Sequence, residues 1–287
     1  MAGSVYHLWL ARRAFPALET GDAKEDALLL RAFQAGSVAP DIGFFPGGPR
    51  RLSHRIHHES TGDFARHLLA QSGTPAEEAF AAGWALHLYT DIRIHPLIEE
   101  EVSHFAAGSG PLRERFDLWH KSLEWGLDCH VLENSSAPEW SVDIEMPLRP
   151  GEECQLTMAA RGYFEAEADD EIICRGWKSL ASWVGRMPAI FKWTGSARPV
   201  GHSPAAGLAG RISAPFARAL GRILAPVEFF ENAAGLVKPE RPGEESVRRM
   251  MARGRAALSD FADAWPGRFV DLANLDLDTG QPIDEGN

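Results

Sequence analysis

A single apolar segment carries three side chains that could bind a metal ion. His87, Asp91 and His95 are spaced at i, i+4 and i+8, so on an α-helix all three lie on one narrow face. Neutral imidazoles and a carboxylate are the ligands that zinc takes when no thiolate is offered. Residues 79–89 are apolar on nearly every side, and a buried unpaired carboxylate is costly unless a cation compensates it. We therefore predict that the three residues are metal ligands.

Each of the three residues also has an ordinary structural interpretation. His87 could be a hydrogen-bonded core histidine, Asp91 a surface acid, and His95 a partner for the negative end of the helix dipole. That interpretation is usual for any one of them. It is strained for all three together, because His87 and Asp91 lie within an otherwise apolar helix.

The next predicted helix carries a second polar stripe. His120 and Glu124 are four residues apart, and Asp128 follows one turn later, so the three share a helical face. The stripe could be solvated, because residues 113–115 and Lys121 are charged. Beside the first three candidates, however, His120 and Glu124 could complete a site that holds more than one metal ion.

A long segment before these helices offers further ligands. Residues 36–60 are rich in Gly, Pro and Arg and are predicted to form an ordered loop, and loops of that length are often functional. This loop offers Asp41 and three histidines, His54, His57 and His58, as candidate ligands. At least one of these histidines is expected to be simply exposed. Near the start of the chain, His7 could be a ligand or a packed histidine.

The elements that must position these residues are predicted to be helices. Helical periodicity covers residues 5–17, 24–35, 74–96, 111–132, 151–167, 170–192, 208–223 and 243–264. Gly36 is predicted to end the second helix, and Thr74, Pro75 and Glu77 form a capping box that starts the third. The lone strand-like run over 140–146 is expected to be an extended connection, because a single strand cannot form a sheet.

The simplest architecture is therefore all-α, with a single multi-helix domain over residues 1–287 built around a polynuclear metal site. The candidate ligands fall within 1–130, and residues 270–287 are predicted to be a loose acidic tail. A glutamate–histidine pair, Glu101 and His104, forms only one ExxH motif, whereas a di-iron bundle needs two. We expect that pair to lie on the surface.

Composition excludes several classes of protein. The 287 residues carry a net charge of −11, so the chain has no general attraction for nucleic-acid backbones or anionic membranes. Three cysteines without a CxxC pair indicate neither a disulfide framework nor a thiolate zinc site. The first residues lack the pattern of a signal peptide, and no apolar stretch is long enough for a transmembrane segment. A soluble cytoplasmic protein is expected.

Three short motifs, in this order after the early His7, resemble those of the zinc-dependent phospholipase C family. They are GSVAPD over 36–41, GWALHLYTDIRIHP over 83–96 and HKSLE over 120–124. The resemblance covers roughly residues 5–130, and the fungal single-strand nucleases are structurally related to this family. It implies an all-α fold around a cluster of two or three zinc ions that hydrolyses phosphate esters.

The resemblance also implies which residues bind each zinc ion. One ion would be held by Asp41, a loop histidine, His87 and Asp91, with His57 the first choice for the loop histidine and His54 the second. A second, more open ion would be held by His95, His120 and Glu124. A third would be held by His7, by Asp91 as a bridge, and by the amino-terminal amine and carbonyl, which removal of Met1 would assign to Ala2.

The chemistry that these residues imply is the hydrolysis of a phosphate ester by zinc-activated water, with Asp41 as the catalytic residue that orients or deprotonates the water. The expected substrate is a phospholipid or a related small phosphodiester, without extended nucleic-acid binding. Two alternatives stay open: a nuclease or phosphomonoesterase that acts on nucleotides, and a non-catalytic helical protein with structural zinc. An HD-type phosphohydrolase is disfavoured, because the sequence contains no His-Asp dipeptide.

Overall fold

A computed structural model gives the fold and describes residues 3–108, 116–136, 143–147, 154–164, 169–193 and 242–283. The α-helices within these ranges are α1 (Ser4–Ala14), α2 (Ala23–Val38), α3 (Arg50–His58), α4 (Thr61–Ala70), α5 (Pro75–Gly108), α6 (Phe116–Asn134), α7 (Gln155–Phe164), α8 (Asp170–Trp193) and α9 (Glu244–Ala264). These described residues contain no β-strand, so the predicted all-α class is confirmed. The predicted helix over 208–223 lies outside them.

Helix α5 is the centre of the fold and contacts α1, α2, α4, α6 and α9. It begins where the capping box predicts: Glu77 N–H donates to Thr74 Oγ1 at 3.2 Å, and the Glu77 carboxylate accepts from Gly73 N–H at 2.7 Å. The first contact satisfies a backbone donor that a helix start leaves open, and the second ties Gly73, the residue before the cap, to the first turn. Residues 79–88 are completely or almost completely buried, as the apolar sequence predicts.

The predicted end of α5 at Pro96 is wrong, because the helix continues to Gly108 with Pro96 inside it. Proline removes one backbone hydrogen bond and usually kinks or ends a helix. Here the following turns bury Ile98 and Val102 completely, and this burial favours continuation. The extra turns place Glu99 where it can reach α6.

The region 36–60, predicted as a loop, is largely helical. Helix α2 runs through Gly36 to Val38, a 3₁₀ helix follows over Ala39–Phe44, and α3 begins at Arg50. Gly36 therefore does not end α2. A Cβ on Gly36 would lie 1.9 Å from the carbonyl oxygen of Phe80, so its role is to let α2 approach α5 closely.

The same close approach occurs from the other side of the α2–α5 crossing. A Cβ on Gly83 would lie 2.0 Å from the carbonyl oxygen of Phe33. Two glycines thus allow backbone-to-backbone contact between the helices. This contact brings the end of α2, and with it the 3₁₀ helix that carries Asp41, next to His87.

Helix α9 packs against α5. Arg93 contacts Asp260 at 2.7–2.9 Å, and Arg249 forms a bidentate pair with Glu100 at 2.7 and 2.9 Å. These pairs are partly exposed and contribute little energy individually, but they fix the register of α9 on α5. Phe261 packs against Phe33 with ring centroids 5.6 Å apart.

The acidic tail is not loose through residue 283. Leu275 N–H donates to Thr61 Oγ1 at 2.7 Å, and Leu277 N–H donates to the carbonyl of His57 at 2.9 Å. Leu272 and Leu277 are buried. Composition predicted a mobile tail, but two buried leucines and regular backbone hydrogen bonds hold the segment across the junction of α3 and α4. We call residues 272–283 the C-terminal strap.

Residues 143–146 of the strand-like run form no sheet. Residues 143–147 lie outside helices and strands, and Arg31 holds them by pairing with Asp143 at 2.8 Å. The described part of the predicted connection therefore forms no regular element, and residues 140–142 lie outside the described ranges. No helix in the described ranges is both long enough and apolar enough to cross a membrane.

Candidate metal centre

Helix α5 directs three polar side chains into the protein interior on successive turns. His87, Asp91 and His95 are each 0% exposed. The i, i+4, i+8 spacing puts them on one face, and the apolar residues around that face exclude water. The site is therefore a row of potential ligands along one buried helix, and other elements contribute to both ends of the row.

The middle of the row is a group formed by α1 and α5. His7 Nε2 lies 3.1 Å from Asp91 Oδ1, and His87 Nε2 lies 3.0 Å from Asp91 Oδ2. The two imidazole rings stack with centroids 4.2 Å apart. Asp91 therefore faces two histidines with its two oxygens, which is the arrangement a bridging carboxylate requires.

A second group lies where the 3₁₀ helix and α3 meet His87. His57 Nε2 is 3.3 Å from Asp41 Oδ1, and one ligand atom each of Asp41, His57 and His87 lie within 4.8 Å of one another. Ser53 holds these two elements together. Its hydroxyl donates to the Pro40 carbonyl at 2.6 Å and accepts from Gly43 N–H at 2.7 Å.

A third group lies between α5 and α6. His95 Nε2 is 3.5 Å from both Asp91 Oδ2 and Glu124 Oε1, and His120 Nε2 is 2.8 Å from the same oxygen of Glu124. Residues from two helices thus converge as their common faces predict. The His120 side chain is 12% exposed, so this end of the row lies nearest to solvent.

In four of these histidines, the Nδ1 nitrogen already has a hydrogen-bond partner. His57 Nδ1 is 2.7 Å from the Ser53 carbonyl, and His87 Nδ1 is 3.0 Å from the Ser37 carbonyl. In the other two histidines the partner is a carboxylate: His120 Nδ1 contacts Glu99 at 2.6 Å, and His95 Nδ1 contacts Asp278 at 3.0 Å. Metal-binding histidines typically have such a partner, because it fixes the tautomer and points the other nitrogen at the metal.

The atoms that face the interior of the row have no such partners. Both oxygens of Asp91 and the Nε2 atoms of His57, His87 and His95 are buried and make no hydrogen bond within the described residues. Their 3.0–3.5 Å contacts with one another lack hydrogen-bond geometry. Buried polar atoms left in this way are costly, and cations between them would satisfy all of them at once. The nitrogen and oxygen donors match zinc.

Burial and charge set the protonation of the carboxylates. Burial would raise the pKa of Asp91, but its interactions with His87, His95 and His7 outweigh burial and hold the pKa well below its usual range. Asp41 follows the same pattern: His87 and His57 overcome burial and lower its pKa to about 2. Both carboxylates are therefore ionised at neutral pH and available to metal.

The histidines divide into two classes. Burial lowers the pKa of His7 and of His57, so these rings are neutral and ready to bind metal. For His87, burial is outweighed by the Asp91 and Asp41 carboxylates, and its pKa rises to about 9. For His120, contacts with Glu124 and Glu99 likewise outweigh burial and raise the pKa to about 9.

We therefore expect zinc affinity to depend strongly on pH. Zinc must displace one proton from His87 and one from His120, because only a neutral imidazole nitrogen binds it. Affinity should rise by about tenfold per pH unit for each displaced proton from neutral pH up to about 9, where the raised pKa values lie, and then level off. Titration against a zinc-buffering chelator at several pH values would measure this, and a flat profile over that range would contradict it.

Several candidates lie outside the three groups. His54 is exposed and lies beside His58, with ring centroids 4.7 Å apart, so His57 rather than His54 reaches the row. His58 contacts Asp276 at 2.9 Å. His104 is exposed, as expected for a surface ExxH pair.

Two further acids have places that the sequence did not indicate. Asp128 accepts the backbone N–H of Tyr6 at 2.8 Å and so caps the start of α1. A Cβ on Gly3 would lie 2.0 Å from this carboxylate, so a larger residue there would require the Asp128 side chain to move. Asp278 reaches His95 from the C-terminal strap, and no local spacing could link two residues that are so far apart in the chain.

Comparison with known proteins agrees with this geometry. The family model for zinc-dependent phospholipase C matches residues 6–155, which is more than half of the chain and contains His7, Asp41, His57, the three α5 candidates, His120 and Glu124. Neither a curated protein nor a solved structure matches the chain. The family match supports a metal-dependent hydrolase that acts on phosphate esters. The chain therefore belongs to the zinc-dependent phospholipase C family.

Proposed function

We infer that this protein hydrolyses a phospholipid or a related phosphodiester at a cluster of two or three zinc ions. The observation that carries the proposal is the continuous row of buried histidines and carboxylates in which Asp91 belongs to more than one group of ligands. Shared ligands are typical of a polynuclear site, because one carboxylate can bind two cations with its two oxygens.

The ligand assignment follows the three groups. Asp41, His57, His87 and Asp91 would hold one zinc, and His95, His120 and Glu124 would hold another. His7 and Asp91 would contribute to a third. Bound zinc supplies two effects: it lowers the pKa of a coordinated water towards neutrality, and it stabilises the charge that develops on phosphoryl oxygens.

Asp41 is the proposed catalytic side chain, and its environment favours one of its two possible roles. Because its pKa is lowered to about 2, its carboxylate holds a proton poorly at neutral pH. It is a weak base but a permanent hydrogen-bond acceptor. We therefore assign Asp41 to orienting the attacking water, with its position fixed by the Ser53 hydrogen bonds to the 3₁₀ helix.

Partial exposure at one end of the row favours catalysis over a structural role for zinc. His7, His87 and Asp91 are at most 1% exposed, whereas His120 is 12% exposed. A structural zinc site is closed, while a catalytic site keeps an open position. The α6 end of the row is where a substrate phosphate could reach a metal without unfolding the core.

The substrate class separates the phospholipase proposal from the nuclease or phosphomonoesterase alternative. We expect the zinc-loaded protein to hydrolyse short-chain phosphatidylcholine or phosphatidylethanolamine and release diacylglycerol. Single-stranded DNA should be a poorer substrate, because a chain with a net charge of −11 offers little attraction to a polyanion. p-Nitrophenyl phosphate, a phosphomonoester, tests the phosphomonoesterase alternative and should also be a poorer substrate.

The assay should compare the purified protein as isolated, after removal of metal by a chelator, and after zinc is restored. Activity that disappears and returns with zinc would support a metal-dependent phosphoesterase. Hydrolysis of DNA in preference to lipid would favour the nuclease alternative. Bound zinc with no hydrolysis of any phosphate ester would favour a structural site.

A further inference from the structure

The C-terminal strap reaches the metal centre from outside the part of the chain that matches the family. Asp278 Oδ1 lies 3.0 Å from His95 Nδ1, and its other oxygen lies 4.0 Å from His58 Nε2. One ligand atom each of Asp278, His95 and His120 lie within 4.8 Å of one another. The matched residues end at 155, so this carboxylate comes from the unmatched half of the chain.

The strap holds Asp278 in place through backbone contacts on both sides of it. Before it, Leu277 N–H donates to the carbonyl of His57, which is itself a proposed ligand. After it, Gly280 N–H donates to the carbonyl of Asp276 at 2.7 Å, and Asp276 Oδ1 accepts from Thr279 N–H at 2.9 Å. Asp278 therefore lies in a tight, hydrogen-bonded turn.

Glycine at position 280 lets this turn lie against α5. It has a φ of +68°, a conformation that glycine adopts without strain. A Cβ there would lie 3.3 Å from the carbonyl oxygen of Ile92 and 3.6 Å from Pro96. The carbonyl of Ile92 is the one that Pro96 leaves without its usual helical donor, so the turn packs at the irregular point of α5, beside His95.

The geometry around His95 distinguishes an orienting role for Asp278 from direct metal binding. His95 Nε2 lies between the Asp91 and Glu124 carboxylates, at 3.5 Å from each, and has no hydrogen bond within the described residues. Its Nδ1 faces Asp278. An ionised carboxylate can only accept a hydrogen bond, so Nδ1 carries the proton and Nε2 is left with the lone pair that binds metal.

We propose that Asp278 is a positioning residue that accepts the Nδ1 proton of His95 and holds the Nε2 of this ring towards the zinc ion shared with His120 and Glu124. This proposal rests on the proposed function, since it presumes that the row binds zinc. It assigns a role at the site to the C-terminal strap. Partners of this kind typically change metal affinity by about 10–100-fold.

The test is chelator competition on the full chain, which measures how tightly each bound zinc is held independently of activity. Asp278→Ala should weaken one zinc by about 10–100-fold and leave the others as in the wild type. Asp278→Asn keeps an acceptor oxygen but loses the charge, so its zinc affinity should lie between those of the wild type and Asp278→Ala. Asp271→Ala is the matched control, because Asp271 is exposed, lies just before the strap and should change nothing.

Circular dichroism of the metal-free variants checks the fold. If Asp278→Ala does not fold, the zinc affinity of the nearly isosteric Asp278→Asn is the deciding measurement. Wild-type affinity for every zinc in both Asp278 variants would overturn the proposal, as would an equal weakening of all the ions, which indicates a merely structural role. A wild-type chain that takes up no zinc would overturn the proposed function and this inference with it. If the wild-type chain binds zinc and both Asp278 variants bind it equally tightly, only this inference is overturned.

Discussion

Replacing Asp91 with Asn is expected to abolish phosphodiesterase activity and to reduce the zinc bound per chain, with little loss of fold. Asp91 places its two oxygens 3.0–3.1 Å from His87 and His7, and it lies 3.5 Å from His95. A neutral amide cannot put negative charge between two cations. Without that charge the metals should leave or separate, and water would return towards its unactivated pKa.

The fold should survive the Asp91→Asn change because the side chain is isosteric and α5 keeps its apolar contacts. Activity, zinc per chain and thermal midpoint should be measured on both proteins, with Asp263→Asn, an exposed acid on α9, as the control. A variant with full zinc content and undiminished hydrolysis would remove Asp91 from the mechanism. A variant that simply unfolds would favour structural zinc, because the binding energy would then be folding energy.

Replacing Gly83 with Ala is expected to destabilise the protein and to weaken zinc binding at the same time. The new Cβ would lie 2.0 Å from the Phe33 carbonyl oxygen and 2.9 Å from the backbone nitrogen of Ser37. Backbone atoms of α2 cannot rotate away, so α2 and α5 must separate. Overpacking of this kind costs about 1–3 kcal/mol, and sometimes more, which exceeds the gain of about 1 kcal/mol in helix propensity.

Separation of the two helices would also disturb the site, because the Ser37 carbonyl accepts the Nδ1 proton of His87 at 3.0 Å. Denaturant unfolding and zinc content measure the two effects. Gly185→Ala in α8 is the matched control: a Cβ there meets nothing within 4 Å, so this change should be neutral or slightly stabilising. A Gly83→Ala protein as stable as the control would show that α2 and α5 are not in backbone contact.

Local spacing is enough to predict the candidate ligands of α5 and α6. His87, Asp91 and His95 share a face because of helical periodicity, and the apolar residues around them in the sequence indicate that the face is buried. The same periodicity puts His120 and Glu124 on one face of α6. The all-α architecture follows from the same signal, and the capping box at Thr74 locates the start of α5.

Tertiary contacts decide what local patterns cannot. Pro96 indicates a helix end, but burial of the next turns outweighs the lost hydrogen bond. Gly36 has the residue type of a helix terminus, yet its role is the close approach of α2 to α5. The Gly, Pro and Arg content of 36–60 indicates a loop, whereas α3 forms there because Leu52 and Ile56 are buried almost completely in the core.

The contribution of Asp278 has no local signal at all. An acidic, glycine-containing stretch of this kind is usually solvated, and its composition predicts a loose tail. Leu272 and Leu277 anchor the segment, and the residues that they contact lie on α3 and α4. Only the folded chain brings this carboxylate to His95.

The metal centre is tested most directly by the position of zinc in crystals of the wild-type protein, located by anomalous diffraction at the zinc absorption edge. We predict anomalous peaks along the α5 row on either side of Asp91, about 2.0–2.2 Å from its oxygens and from the Nε2 atoms of His87 and His95. No peak beside Asp91, or zinc bound only at exposed residues, would show that the α5 row is not the metal centre.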